Sequence, residues 1–343
     1  MERRVFDSLP FTRYYYQMKP TIVSGLKPSG KLHIGNYLGM TKQSIALQSS
    51  EEFNCYYFIA DYHALTQKYK PSEKSAEIFD MAVDALALGI DPKKSVFFMQ
   101  SDILEHANLA WLFDCITPTG KLQGMIEFRE KIEEGQPANA GLLNYPVLMA
   151  ADILMYKASF VPVGEDQRQH LELTRDIART FNKKFGKIFP EPKGIFVEGL
   201  RVKSLDNPKK KMSKSLPKGC LYLTDSPEAI KKKVRSAVTD SGNEIIFDPD
   251  KKPALANLLL IYSEMSDTPI KEIIENHKGK GYKEFKDNLA EAVSSALASF
   301  REKRKEIASD SKKVRKTLLE GAEKARVTAS KTLQEVKKKM GLI

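Results

Sequence analysis

Cysteine is scarce in this chain. Only Cys55, Cys115 and Cys220 occur among 343 residues, far apart and without CxxC spacing. That argues against a disulfide framework and a cysteine-built zinc site, and for a reducing, cytoplasmic setting. Long apolar runs are missing as well. The best candidate for a membrane span, residues 142–163, is broken by Asn144, Asp152 and Lys157, so no membrane role is expected. Residues 1–17 carry Arg3, Arg4, Arg13 and three consecutive tyrosines, but also Glu2 and Asp7. They lack the apolar stretch of a secretory signal and are read as an extension without a fold role. No internal repeat is present.

What is abundant is positive charge, and it is unevenly placed. The net charge is +11. Residues 1–208 balance, with 25 basic and 25 acidic side chains. Residues 209–235 hold nine basic and two acidic residues, and residues 301–343 hold fourteen and six. Between them, residues 236–300 hold seven and eleven. Two confined basic segments suggest two contacts with a polyanion. Solvated, lysine-rich helices that keep a protein soluble are the competing reading.

The apolar pattern alternates between short buried strands and amphipathic helices. Thr21 to Gly25, Phe53 to Ala60 and Ser95 to Gln100 read as strands. Lys74 to Leu88 reads as a helix with Ile78, Met81, Ala82, Ala85 and Leu88 on one face. Further helices are expected near residues 107–115, 148–156 and 164–184. Alternation of this kind predicts an α/β fold, a Rossmann-like doubly wound parallel sheet. Ligands then bind at the carboxyl ends of the strands. Beyond residue 224 the pattern becomes almost wholly helical. The expected division is residues 1–17 as extension, 18–223 as the α/β portion and 224–343 as a helical domain.

Two short strings carry chemistry. His33-Ile34-Gly35-Asn36 follows the first strand and a Pro28-Ser29-Gly30 turn. His33 and Asn36, three apart, share one face of a helical turn and can offer neutral donors to phosphate oxygens. Lys211-Met212-Ser213-Lys214-Ser215 lies in the first basic segment. Ammonium groups there can meet the charge that develops on a departing pyrophosphate. Singly, the first string reads as a strand-turn-helix joint and the second as a solvated patch. Together, in this order, they resemble the paired ATP-handling motifs of class I aminoacyl-tRNA synthetases.

Further strings narrow the resemblance. Ile22-Val23-Ser24-Gly25, Asn36-Tyr37-Leu38-Gly39, Asp61-Tyr62-His63-Ala64, Leu148 to Leu154 (LMAADIL), Val161 to Gln167 (VPVGEDQ) and Ala237 to Ser241 (AVTDS) occur in sequence. They resemble the tryptophanyl-tRNA synthetase family of bacterial and organellar type, from about Thr21 to the C-terminus. A tyrosyl enzyme shares fold and motifs but is disfavoured by VPVGEDQ and LMAADIL together. A noncatalytic RNA-binding relative has no need of both ATP motifs.

The resemblance implies roles, residue by residue. His33, Asn36, Lys211 and Lys214 act on the phosphates. Lys27, Gly35, Gly164, Asp166, Gln167, Met212 and Ser213 line the ATP site. Arg129 and Lys131 are a basic pair on a mobile loop that reaches the phosphates. Asp152 reads the indole N–H and Met149 packs the ring, while His63, Tyr145 and Gln167 hold the amino acid's polar end. A buried carboxylate that demands a donor rejects phenylalanine. ATP with Mg2+, L-tryptophan and tRNA(Trp) are the implied partners. A homodimer is implied too, with a dimerisation insert in the α/β portion and an anticodon-binding helical domain. The magnesium rides on the phosphates; no all-protein metal site is expected. Two positions depart from the family: Lys27 stands where glutamine is usual, and His33 where bacterial members often have threonine.

Overall fold

The computed structural model describes residues 19–196, 202–214 and 216–343. The expected extension over residues 1–17, and Ser215 of the lysine-rich string, lie outside the described residues. The centre is a five-stranded sheet of β1 (Thr21–Leu26), β2 (Asn54–Ile59), β3 (Ser95–Met99), β4 (Phe160–Val163) and β5 (Lys193–Phe196). The strand order is β3-β2-β1-β4-β5, and every pairing is parallel. Chain order runs outward from β1 in both directions. The reversal between β1 and β4 creates a crevice at their carboxyl ends.

β4 and β5 were not marked as strands by the apolar pattern. Each is four residues long, and β4 contains Pro162. Too few residues are present for alternation to register. The helix before β4 starts earlier than its pattern, at Ala140, and runs to Met155 through Pro146. Asn139 caps it by accepting from the Leu142 amide at 2.8 Å. The segment after His33 is not one regular helix. A turn at Ile34–Asn36 widens at Tyr37–Thr41 before Lys42–Ser49 continues as α-helix. Widened turns of this kind occur often beside functional sites.

The chain beyond residue 224 is helical, as expected. It forms helices Pro227–Arg235, Pro253–Ser266, Ile270–Asn276, Tyr282–Ala296, Ala298–Ser309 and Ser311–Met340. These do not all stand apart from the sheet. The last helix returns to lie against β3. Gly321 permits the approach, because a Cβ there would fall 1.8 Å from the Phe97 carbonyl oxygen. Val314, Leu318, Ala322, Ala325, Ala329 and Leu333 bury the same face. Arg326 donates to the Asp102 carbonyl at 2.7 Å, and Lys157 pairs with Glu335 at 2.6 Å. One helix of the second basic segment is thus packed as part of the α/β core. Ala298–Ser309 is also tied back, with Arg304 gripping Asp80 and Asp84 at 2.7 and 2.6 Å.

Candidate active site

The His33–Asn36 string and the segment that follows Lys211–Ser215 meet through backbone hydrogen bonds. The Ile34 amide donates to the Leu221 carbonyl at 3.0 Å, and the Leu223 amide to the Leu32 carbonyl at 3.0 Å. The lysine-rich segment is thereby stitched to the start of the first helix. Met212 is not at the surface. It is buried in the core, and its amide donates to Val202 at 3.0 Å. Anchoring Met212 sets where the flanking lysines emerge.

Lys214 reaches back to the turn after β1. Its Nζ donates to the Gly30 carbonyl at 2.8 Å and to Ser29 Oγ at 3.3 Å. Gly30 has φ +93°, a conformation that favours glycine. Burial pushes the Lys214 ammonium down to about 8. Lys211 stays more exposed and points to the other wall, where its Nζ lies 3.9 Å from Asp166 Oδ1. Burial raises the Asp166 carboxyl, but the Lys211 charge and a hydrogen bond from Gln167 outweigh it and bring it below its ordinary range. Gly164, which follows β4, lies close under the Asp166 side chain: a Cβ would sit 2.5 Å from Asp166 Oδ1 and would displace that carboxylate. Gln167 Nε2 donates to Asp166 Oδ2 at 3.2 Å.

His33 caps the first helical turn. Its Nδ1 accepts from the Asn36 amide at 3.3 Å, and Asn36 Oδ1 accepts from the His33 amide at 3.2 Å. Burial, then the charges of Lys214 and Lys211, push the imidazole down to about 4. The ring is neutral at physiological pH, and the Nδ1 acceptor role leaves the proton on Nε2. It is a donor that brings no charge. Gly35 lies against this ring, with a Cβ position only 3.0 Å from His33 Nδ1. Lys27 is half-buried, its Nζ 3.4 Å from Thr66 Oγ1. Burial lowers its pKa, opposed by the Glu127 charge and assisted by Lys131 and Lys74.

A second cluster of candidate site residues is built on the Ala140–Met155 helix. Tyr145, Met149 and Asp152 fall at i, i+4 and i+7 on one face. Asp152 is 2% exposed. Three side chains hold its carboxylate: His63 Nε2 at 2.7 Å, His106 Nδ1 at 2.6 Å and Gln100 Nε2 at 2.8 Å. Burial raises its pKa, but hydrogen bonds from His106 and His63 win and hold it at about 2. His106 closes a further link, its Nε2 accepting from the Tyr156 hydroxyl at 2.8 Å. Tyr156 stays protonated because burial and the Asp152 charge push it well up. His63 also meets the Tyr145 ring edge-on at 6.2 Å.

Gln100, His106 and Tyr156 were not picked out from the sequence. They sit 52, 46 and 4 residues from Asp152, on β3's exit, the Glu105–Asp114 helix and the same helix's end. Only the sheet brings them together. His106 carried the one usable signal, a histidine inside an apolar helical stretch.

The basic pair is placed differently from expectation. Arg129 and Lys131 lie on a helix, Ile126–Glu133, rather than on a loop. Two residues apart, they face opposite sides. Arg129 is exposed and donates to the Gly124 carbonyl at 3.2 Å. Lys131, with Glu127 one turn earlier, is near enough for its charge to act on Lys27, and it pairs with Glu134 at 2.7 Å.

Comparison with known proteins follows the same lines. Residues 16–298 match a sequence family described as class I tRNA synthetases (W and Y). A tryptophan-tRNA ligase of Caldanaerobacter subterraneus subsp. tengcongensis is 46% identical over 325 residues, 94% of this chain and 98% of that protein. The tryptophanyl-tRNA synthetase of Mycoplasma pneumoniae superposes with a TM-score of 0.85 at 36% identity, covering 94% of this chain and 98% of that one. That of Campylobacter jejuni, solved with ADP and tryptophan, gives 0.82 at 37% identity, covering 94% and 99%. The α/β sheet, the joined ATP strings and these likenesses agree: the chain belongs to the tryptophan-tRNA ligase family of class I tRNA synthetases.

Proposed function

We propose that this chain activates L-tryptophan with ATP and transfers it to the 3′ end of tRNA(Trp). The observation that carries the specificity is Asp152, a buried carboxylate held ionised by His63, His106 and Gln100. One further donor, the indole N–H, suits the remaining acceptor capacity of Oδ2. Phenylalanine has none to give, and burying the carboxylate beside its bare ring is costly.

In the first step a tryptophan carboxylate oxygen attacks the α-phosphorus. The bond to the β-phosphate's bridging oxygen breaks and pyrophosphate leaves with the electron pair. His33 Nε2–H and the Asn36 amide group donate to phosphate oxygens without changing the charge balance. Lys211 and Lys214 supply positive charge where it grows on the leaving group, with Lys131 and Lys27 beyond them; Arg129, turned outward in this structure, joins them only if its helix rearranges when ATP binds. Gly35, Gly164, Asp166, Gln167, Met212 and Ser213 shape the nucleotide site. Magnesium enters as the phosphate-bound partner of ATP. His63, Tyr145, Met149 and Gln167 hold the amino acid beside Asp152. In the second step a ribose hydroxyl of the tRNA attacks the tryptophanyl carbonyl and AMP leaves.

The working unit in this reading is a cytoplasmic homodimer. Exposed Leu104 and Trp111, seven residues apart and so on one helix face, support it. The helical portion contacts the tRNA anticodon. The test is amino-acid-dependent exchange of pyrophosphate into ATP. Exchange with tryptophan and not tyrosine is the expected result; exchange with tyrosine alone overturns the specificity, and exchange with neither leaves a binding protein. Sedimentation of wild type and Trp111→Glu checks the dimer.

A further inference from the structure

The substrate is a zwitterion, and the residues assigned to it leave its ammonium group without a counter-charge. His63, Tyr145, Met149 and Gln167 bring no negative charge. Asp152 is committed to the ring end by three donors. Asp166 is no better placed, since it accepts from Gln167 and faces Lys211. Asp61 is buried under backbone donors from Tyr62 and Ser101. A half-desolvated ammonium needs a carboxylate nearby.

Glu127 is so placed. The Tyr145 hydroxyl lies 2.7 Å from His170 Nε2, and Glu127 Oε2 lies 3.8 Å from the same nitrogen. His170 is 1% exposed and thus fixed, whereas the Glu127 side chain is 37% exposed and can turn into the crevice. The Tyr145 ring in turn abuts His63, the Asp152 partner. A chain of neighbours thus links Asp152 to Glu127 through His63, Tyr145 and His170. On its own helix Glu127 is one turn before Lys131, on the same face, and the charges of both act on Lys27. The single helix Ile126–Glu133 thus presents an acid and a base on one face.

We propose that Glu127 binds the α-ammonium group of the amino acid, with Tyr145 held in place by His170 as its companion. This rests on tryptophan being the substrate. Exchange by the wild-type protein tests that point separately, before any variant is made. The variant is Glu127→Gln, nearly isosteric and at a partly exposed site. Pyrophosphate exchange gives KM for tryptophan and for ATP; indole-3-propionate, which lacks the ammonium, is titrated as a competitive inhibitor. The expected result is a tryptophan KM raised about tenfold or more, as for loss of one charge-assisted hydrogen bond. ATP KM and indole-3-propionate inhibition should stay within about twofold. An unchanged tryptophan KM overturns the proposal. So does equal weakening of tryptophan and indole-3-propionate, which marks a merely structural role.

Discussion

Lys214 Nζ donates to the Gly30 carbonyl oxygen at 2.8 Å, joining residues 184 positions apart. The lysine belongs to one ATP string and the glycine to the turn that introduces the other. The contact places an ammonium at the carboxyl end of β1, beside the neutral His33 ring whose pKa it lowers. Electrostatics and backbone geometry in this crevice are therefore coupled.

The Lys214 ammonium, pushed down to about 8 by burial, is charged below that pH and neutral above it. Phosphate contact requires the charged form. In pyrophosphate exchange, kcat/KM for ATP should accordingly fall as pH rises above about 8. Lys214→Arg keeps its charge throughout this range. Its absolute rate should be lower, but its profile should stay flat past pH 9. An identical alkaline fall in the variant assigns the titration to another group.

Asp152→Asn tests a role and a stability term together. The exchange rate with tryptophan at low concentration should fall at least tenfold, with ATP binding preserved. The folded-state pKa of about 2 lies below the ordinary carboxylate value. A depressed carboxylate stabilises the fold above the unfolded pKa and loses that contribution as pH falls through the folded one. Wild type should exceed the variant by about 2 kcal/mol at pH 7. The margin should shrink below about pH 4 and vanish near 2. Denaturant titrations at several pH values measure it.

His33 is a cap as well as a donor. His33→Ala should cost about 1 kcal/mol of stability for the lost cap. It should also lower kcat/KM for ATP about tenfold, as for a lost donor. Because the ring is pushed down to about 4, no step between pH 5.5 and 7.5 should trace to it. Comparison of wild-type and variant profiles over that range decides this.

Gly321→Ala places a methyl group against the Phe97 carbonyl. The C-terminal helix must shift or undock. Destabilisation of about 3 kcal/mol or more is expected, since backbone cannot yield as a side chain does. Limited proteolysis should cut earlier within residues 311–340 than in wild type. Equal resistance would mean that the helix accommodates the methyl by a small slide.

Legibility differed by residue. β1, β2 and β3 announced themselves through β-branched and aromatic runs. Four-residue β4 and β5 were too short to do so. His33 and Lys214 were evident from local strings, because the chemistry of each is packed into four or five consecutive residues. Arg129 and Lys131 were visible as a basic pair, yet adjacency in sequence concealed that helical rotation turns them to opposite sides. Gln100 and Glu127 were silent, and His106 offered only a histidine within an apolar helical stretch. Their roles exist only where separate strands and helices converge.

Chain order and residue type alone determined the fold class and the two ATP strings, which follow from local periodicity and from motifs short enough to be continuous; the kind of amino acid accepted was implied by the family those motifs resemble. The tertiary structure decided how charge is managed. Burial, capping and long-range contacts make His33 neutral, Asp152 ionised and Lys214 titratable near neutrality. It also decided that the final basic helix belongs against the sheet, because only folding brings Gly321 to the backbone of Phe97.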